Sequence, residues 1–225
     1  MRTVQLDAVL FDLDDTLCRY RRSGSELLEA AFEATGVEPF ITREEYHARY
    51  PEFVGDSDSM ADLRERCFAA IAESKGRDPA VGRRVARAYA AERDHGDVEP
   101  LPGVEAAVDA VSELPLGLVT NGSPEMQAPK LEALGLADAF DVVVHAGYDA
   151  AAKPDPEPFE VALSALDARP DRTVHVGNSL ESDVAGARAA GVQSVWLSED
   201  DQPAEPEPDH RVPTLEAFPS IVERR

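Results

Sequence analysis

The sequence predicts an α/β fold, a doubly wound parallel sheet interrupted near its start by an inserted α-helical domain. Three observations carry this expectation. Short apolar runs alternate with amphipathic stretches through most of the chain, one long interval lacks any run that reads as a strand, and Asp, Asn, Thr and Lys collect where the apolar runs end. An alternating series of this kind builds a parallel sheet covered by helices on both faces, with ligands at the carboxyl ends of its strands.

The elements follow in order. Leu6 to Phe11, Leu116 to Thr120, Asp141 to His145, Thr173 to Gly177 and Gln193 to Leu197 are short, β-rich and bounded by Gly, Pro or Asp, as buried strands are. Between the later ones lie helix-length segments at Ser123 to Gly135, Pro156 to Asp167 and Leu180 to Ala190, with Gly135 and Gly191 placed to end helices. From Cys18 to Pro100 the alternation stops. Ser23 to Thr35, Thr42 to Tyr50, Ser59 to Ser74 and Pro79 to Asp94 have helical periodicity, with Ser23, Thr42 and Ser59 as N-caps. The expected division is residues 1–18 and 100–225 for the sheet domain and 19–99 for the helical insertion. Ser198 to Arg211, acidic and Pro-rich, reads as a solvated loop before a short last strand and a helix from Thr214 onward.

Composition narrows the function. The 225 residues carry a formal charge of -22, a field that repels nucleic-acid backbones and anionic lipid while permitting small anions wherever donors or a metal reverse its sign locally. No apolar run approaches the ~20 residues that span a bilayer, and Met1 to Asp7 lacks a secretion signal, so a cytoplasmic location is expected. Two cysteines make no disulfide framework; Cys18 and Cys67 read as reduced, partly buried thiols. Lysine occurs only at Lys75, Lys130 and Lys153 against nineteen arginines, a usage that resembles cytoplasmic proteins of salt-loving archaea.

Four segments carry chemistry. In Phe11-Asp12-Leu13-Asp14-Asp15-Thr16, two carboxylates two residues apart leave a buried strand, which fits either a divalent cation site or a turn with Asx capping. Asp15 fits a hydrogen bond to metal-bound water or a turn equally well. Thr120-Asn121-Gly122 ends a second strand with a hydroxyl, an amide and an approachable backbone N–H; Lys153 lies in a Pro-stiffened loop after the third; Asn178 and Asp183 follow the fourth. Separately these are a turn, a surface lysine and a helix cap. Their common order at strand ends is the signal. The histidines show no ligand spacing, and His175 and Trp196 read as core residues.

In these segments the chain resembles the haloacid dehalogenase superfamily, over Leu6 to about Leu197, with the helical interval in the place of that family's C1 cap and a Rossmann-like core around it. The resemblance implies Asp12 as nucleophile, Asp14 as general acid and base, Thr120 and Lys153 as the groups that position and neutralise phosphate, and Asn121 and Gly122 beside them at the substrate. It implies Mg²⁺ held by Asp12, Asp14, Asn178 and Asp183. Asn178 departs from the pattern, standing where the family usually has Asp, which puts metal affinity in question. The chemistry has independent reasons. A carboxylate attacks phosphorus only when cations suppress the repulsion between two anions, and a second carboxylate near it protonates the departing oxygen and then activates water.

The implied activity is Mg²⁺-dependent phosphomonoester hydrolysis of a small phosphorylated metabolite through an aspartyl-phosphate, by a monomer or small homo-oligomer without nucleic-acid or membrane partners. Three readings compete: 2-haloacid dehalogenation, which Asp14 argues against because it needs no second acid; non-catalytic binding, against which both Asp12 and Asp14 stand; and phosphoryl transfer between metabolites. Arg19, Arg21, Arg22, Arg64 and Arg66 either meet a second anionic group of the substrate or are solvated helix-face cations, with the latter favoured.

Overall fold

The computed structural model describes residues 6–57, 59–200 and 203–222; the leader reading of Met1 to Asp7 falls mostly outside them. In chain order the elements are β1 (Ala8–Phe11), β2 (Cys18–Tyr20), α1 (Gly24–Thr35), α2 (Arg43–Arg49), α3 (Met60–Ser74), α4 (Pro79–Glu92), β3 (Val98–Pro100), α5 (Val104–Asp109), β4 (Leu116–Thr120), α6 (Pro124–Leu134), β5 (Val142–His145), α7 (Glu157–Ala165), β6 (Thr173–Gly177), α8 (Ala185–Ala189), β7 (Gln193–Leu197), β8 (His210–Val212) and α9 (Pro219–Val222). A π-helical turn, Leu180–Val184, leads into α8.

Contacts divide the chain into two compact units, Met1–Tyr20 with His95–Arg225, and Arg21–Asp94. The first holds a six-stranded parallel sheet in the order β5-β4-β1-β6-β7-β8. Alternation along its strands separates two apolar layers. Val9, Phe11, Leu118, Val174 and Val176 pack with Val104, Leu131, Leu215 and Phe218, while Leu10, Val119 and Val144 pack with Phe159, Ala162 and Ala187. Helices α5, α6 and α9 thus belong to one face and α7 and α8 to the other. All four residues of β1 are buried, because it is the central strand and both faces are covered. β1 has β4 on one side, with β5 outside it, and β6 on the other, with β7 and β8 outside it, so the strand order reverses direction here and the crevice beyond the carboxyl end of β1 is the topological switch point where ligands bind in such sheets.

The second unit is helical. Ser23 and Thr42 close capping boxes with Glu26 and Glu45, and Ser59 caps α3 by accepting from the Asp62 N–H. Leu27, Phe32, Phe68, Ile71, Val85 and Tyr89 form its core. Gly82 permits close approach of α4 to α3, since a β-carbon there would sit 2.3 Å from the Phe68 carbonyl oxygen.

Two features depart from the sequence reading. The interval from Cys18 to Pro100 does contain strand: β2 and β3 pair antiparallel as a two-stranded ribbon, Cys18 opposite Pro100. Three residues are too few for a period-2 pattern, and the partner lies across the whole helical interval. The segment 180–190 is not one α-helix but the π-turn followed by α8.

Candidate active site

The site grows from the turn after β1. The Asp12 N–H donates to the Val176 carbonyl at 2.9 Å, carrying the β-ladder one residue past the strand and fixing Asp12 between the ends of β4 and β6. Its side chain is 8% exposed. Oδ1 accepts from Lys153 Nζ at 2.8 Å and Oδ2 from the Thr16 hydroxyl at 3.0 Å, so both oxygens of the carboxylate are oriented. Burial pushes the Asp12 carboxyl up to about 7, against the pull of Lys153 and with the help of Asp183 and Asp14. Asp15 has φ 57, and its N–H donates to the Cys18 carbonyl. The segment therefore turns sharply in the left-handed region, which Asp tolerates better than most residues.

Lys153 is the cation beside Asp12. Its ammonium group uses its three protons on Asp12 Oδ1, Asp183 Oδ1 (2.7 Å) and the Val119 carbonyl (2.8 Å), with the side chain 2% exposed. Burial lowers its proton affinity, but Asp12 and Asp183 outweigh that and raise it, so the amine stays charged. Asn121 holds the lysine's backbone: its Nδ2 donates to the Lys153 carbonyl at 3.1 Å and its Oδ1 accepts the Lys153 N–H at 2.9 Å. Both polar ends of the amide are engaged there, so Asn121 serves the site through Lys153.

Asp183 is buried beneath the loop after β6. Oδ1 accepts from Lys153 and from His175 Nε2 (3.1 Å), and Oδ2 from the Ser179 N–H (3.0 Å). Burial works against its charge, yet the His175 and Lys153 bonds hold its carboxyl well below the usual range. Room for it comes from Gly177: a β-carbon there would lie 2.3 Å from Asp183 Cγ. His175, read from the sequence as a core residue, is buried and packs edge-on against Phe159, but it is also the donor that orients Asp183.

Asp12 Oδ2 and Asn178 Oδ1 lie 3.0 and 3.4 Å from the same Thr16 hydroxyl, so two hard oxygen donors converge there. Among the described residues no three acidic, His or Cys side chains gather as a metal cage. The donor set instead fits an ion that keeps several waters and takes one or two carboxylates, the habit of Mg²⁺. A cleft of about 360 Å³ beside it is lined by Asp15, Asn178, Ser198 and Thr214 among others.

Asp14 takes its partners from α6, and sequence reasoning missed them. Lys130 Nζ donates to Asp14 Oδ1, and Gln127 Nε2 donates to Asp14 Oδ2 at 2.9 Å and to the Thr120 hydroxyl oxygen at 2.7 Å. Thr120 thereby joins the site at the end of β4. One signal for Lys130 was present, since it is one of three lysines in the chain. Of the arginines, Arg19, Arg22 and Arg66 pair with Glu99, Glu92 and Asp62, and Arg64 lies over the Tyr89 ring. The Cys18 and Cys67 thiols are pushed up by burial to about 12 and about 11, which keeps them protonated.

Comparison with known proteins shows the family to which the chain is similar. A family model described as haloacid dehalogenase-like hydrolase matches residues 6–191. A phosphoserine phosphatase of Thermus thermophilus is 34% identical, over 92% of this chain and 95% of that one. A glyceraldehyde 3-phosphate phosphatase of Methanopyrus kandleri is 32% identical, over 94% and 92%. The solved structure of a 2-haloacid dehalogenase from Pseudomonas syringae superposes with a TM-score of 0.71 at 25% identity, covering 98% of this chain and 99% of that one.

Proposed function

The chain belongs to the haloacid dehalogenase-like hydrolases and is a phosphatase of that family, and from this premise we propose that it is a Mg²⁺-dependent phosphomonoesterase whose Asp12 forms an aspartyl-phosphate. The observation that carries the reading is Lys153: a buried ammonium group bonded to Asp12 Oδ1 and to Asp183. A carboxylate nucleophile beside an anionic phosphoryl group needs such a cation.

In the first half-reaction an Asp12 oxygen bonds to phosphorus as the bond to the ester oxygen breaks, and Asp14 gives its proton to that departing oxygen. In the second, Asp14 takes a proton from water as the water oxygen bonds to phosphorus and the Asp12 carboxylate is released with inorganic phosphate. Lys153 offsets charge throughout, and Thr120, accepting from Gln127, keeps its own proton for a phosphoryl oxygen. Asp12 and Asn178 are the side chains that would hold the metal, with Asp183 fixing Lys153. Bound Mg²⁺ supplies positive charge against the phosphoryl oxygens.

With Asp14 protonated for the first half-reaction, Asp12 and Asp183 balance Lys130 and Lys153, so a divalent ion turns the site net positive and receptive to phosphate. Halide displacement, the chemistry named for the Pseudomonas syringae protein, has no use for Asp14 and its two partners. The substrate class is a small phosphorylated metabolite, consistent with relatives named for phosphoserine and glyceraldehyde 3-phosphate. The acidic excess, -22, supports a salt-screened cytoplasm as the working environment, so stability should rise between low and molar KCl as the screening length falls to ~3 Å.

The test is hydrolysis of 4-nitrophenyl phosphate by the purified chain with and without Mg²⁺, followed by titration of the metal in the parent and in Asn178→Asp. Turnover is expected only with the metal, and the variant should reach half-saturation at lower Mg²⁺. Equal turnover in chelator would refute the metal requirement. An unmoved half-saturation point would remove Asn178 from the metal's surroundings.

A further inference from the structure

We infer that Gln127 and Lys130 of α6 are positioning residues for the proposed reaction, a clamp that ties the carboxylate of Asp14 to the hydroxyl of Thr120. The inference rests on the reading of Asp14 as general acid and base.

Both residues are fully buried, which for a lysine and a glutamine is an expensive placement unless each is paired. Lys130 has Asp14 as its carboxylate partner, with the Tyr20 ring 4.7 Å from its ammonium nitrogen. Asp14 itself is 42% exposed at its side chain, so the carboxylate does not need these partners for solvation. The buried cation and amide instead hold a partly open carboxylate in one orientation. They lie three residues apart on α6, hence on the same face of the helix, and reach the two oxygens separately.

Gln127 does two jobs with one nitrogen. Its Nε2 donates to Asp14 Oδ2 and to Thr120 Oγ1, while its Oε1 is buried without a protein partner. Turning the amide over would press Oε1 against the carboxylate, so the charge on Asp14 fixes the orientation and leaves the orphaned oxygen as its cost. The backbone is shaped around the same side chain: a β-carbon at Gly122 would lie 2.0 Å from Gln127 Nε2. The sharp turn after β4 is thus open to the glutamine only because residue 122 is glycine.

The consequence is a fixed relation between the group that holds a phosphoryl oxygen and the group that exchanges a proton with the leaving oxygen and then with water. Each Asp14 oxygen accepts one bond from the clamp and keeps a second lone pair for that proton. Loss of the clamp leaves Asp14 present but mobile. The rate then falls most where proton donation to the leaving group matters most, with little effect on binding.

The experiment compares kcat/KM for phenyl phosphate, whose leaving phenolate is strongly basic, with that for 4-nitrophenyl phosphate, whose leaving group needs little protonation. The proteins are the parent, Lys130→Met, Gln127→Met and Asp14→Asn, all with Mg²⁺ and with folding checked by circular dichroism. Lys130→Met and Gln127→Met should each lose about tenfold or more on phenyl phosphate and several-fold less on the nitrophenyl ester, with inhibition of Lys130→Met by inorganic phosphate unchanged. In the Asp14→Asn background Lys130→Met should cost nothing further. If Lys130→Met does not fold, Gln127→Met alone decides. Normal turnover of both esters by Asp14→Asn would refute the acid–base reading itself. An impaired Asp14→Asn beside clamp variants that match the parent, or that lose equally on both esters, would overturn the positioning role and leave that reading standing.

Discussion

The two compact units bury different chemistry. Among the described residues, the unit Arg21–Asp94 buries no charged residue as a whole, only the Nε atoms of Arg49 and Arg64; its interior is Leu27, Leu28, Phe32, Phe68, Ile71, Val85 and the rings of Tyr46 and Tyr89. The sheet unit has two apolar layers of its own, yet it also buries Asp12, Gln127, Lys130, Lys153, His175 and Asp183 along one end of the strands. Desolvating such groups costs several kcal/mol per ion before pairing returns part of it. The difference teaches where stability has been given up for reactivity: the helical unit packs as a simple core with capped helices, while the sheet unit carries a charged seam that its apolar layers must support.

The largest expected effect lies in that seam. Asp12→Asn should lower phosphatase activity at least about a thousandfold, because the nucleophile is lost and the remaining groups cannot replace it. The same change should not destabilise the fold. Burial puts the folded Asp12 carboxyl near 7, above its ordinary 3.8, so the native state favours the protonated form and metal-free stability is lost as pH rises from about 4 to about 7. Asn mimics the neutral form, so its unfolding midpoint in chelator should exceed the parent's by more at pH 8 than at pH 5. A midpoint lower than the parent's at pH 8 would mean that the ionised Asp12–Lys153 pair stabilises the fold.

In the helical unit the corresponding change is to a ring. Phe68 packs against Tyr46 and Tyr89 with centroids 5.1 and 5.8 Å away. Phe68→Ala should cost about 3–5 kcal/mol in urea unfolding followed by circular dichroism. A loss below about 1 kcal/mol would contradict the picture of a densely packed apolar core.

The smallest of the three sits where the comparison is sharpest. Gly177→Ala adds one carbon in van der Waals overlap with the Asp183 carboxyl, and should cost about 1–3 kcal/mol of stability. Turnover should fall with it, since Asp183 carries Lys153. A variant with full activity would show that Asp183 can move without disturbing the lysine.

Much of the scaffold was legible in the sequence. The strands at Leu116–Thr120, Thr173–Gly177 and Gln193–Leu197 have the bounds that their apolar runs and flanking residues predict, and Ser23, Thr42 and Ser59 are the caps that their side chains suggest. These are local properties: burial of a short β-rich run and a hydroxyl facing an open N–H need only near neighbours. The β2–β3 ribbon was not legible, because Arg19 opposite Glu99 is a pairing across some eighty residues that neither strand announces alone.

For the site, the chain by itself determined which residues reach the strand ends: Asp12, Thr120, Lys153, Asn178 and Asp183 each follow an apolar run, and a parallel sheet brings such ends together. Only the tertiary structure decided how they pair. It set Lys153 between Asp12 and Asp183, engaged Asn121 with the lysine's backbone, and turned His175 from a core position into a donor to Asp183. It also buried Lys130 and Gln127 on α6, a helix whose sequence marks neither for the interior. The reason is physical. Whether a polar side chain is buried depends on a partner of opposite charge or matching hydrogen-bond capacity, and for Lys130 and Gln127 the carboxylate partner, Asp14, lies more than a hundred residues away, beyond a different strand end.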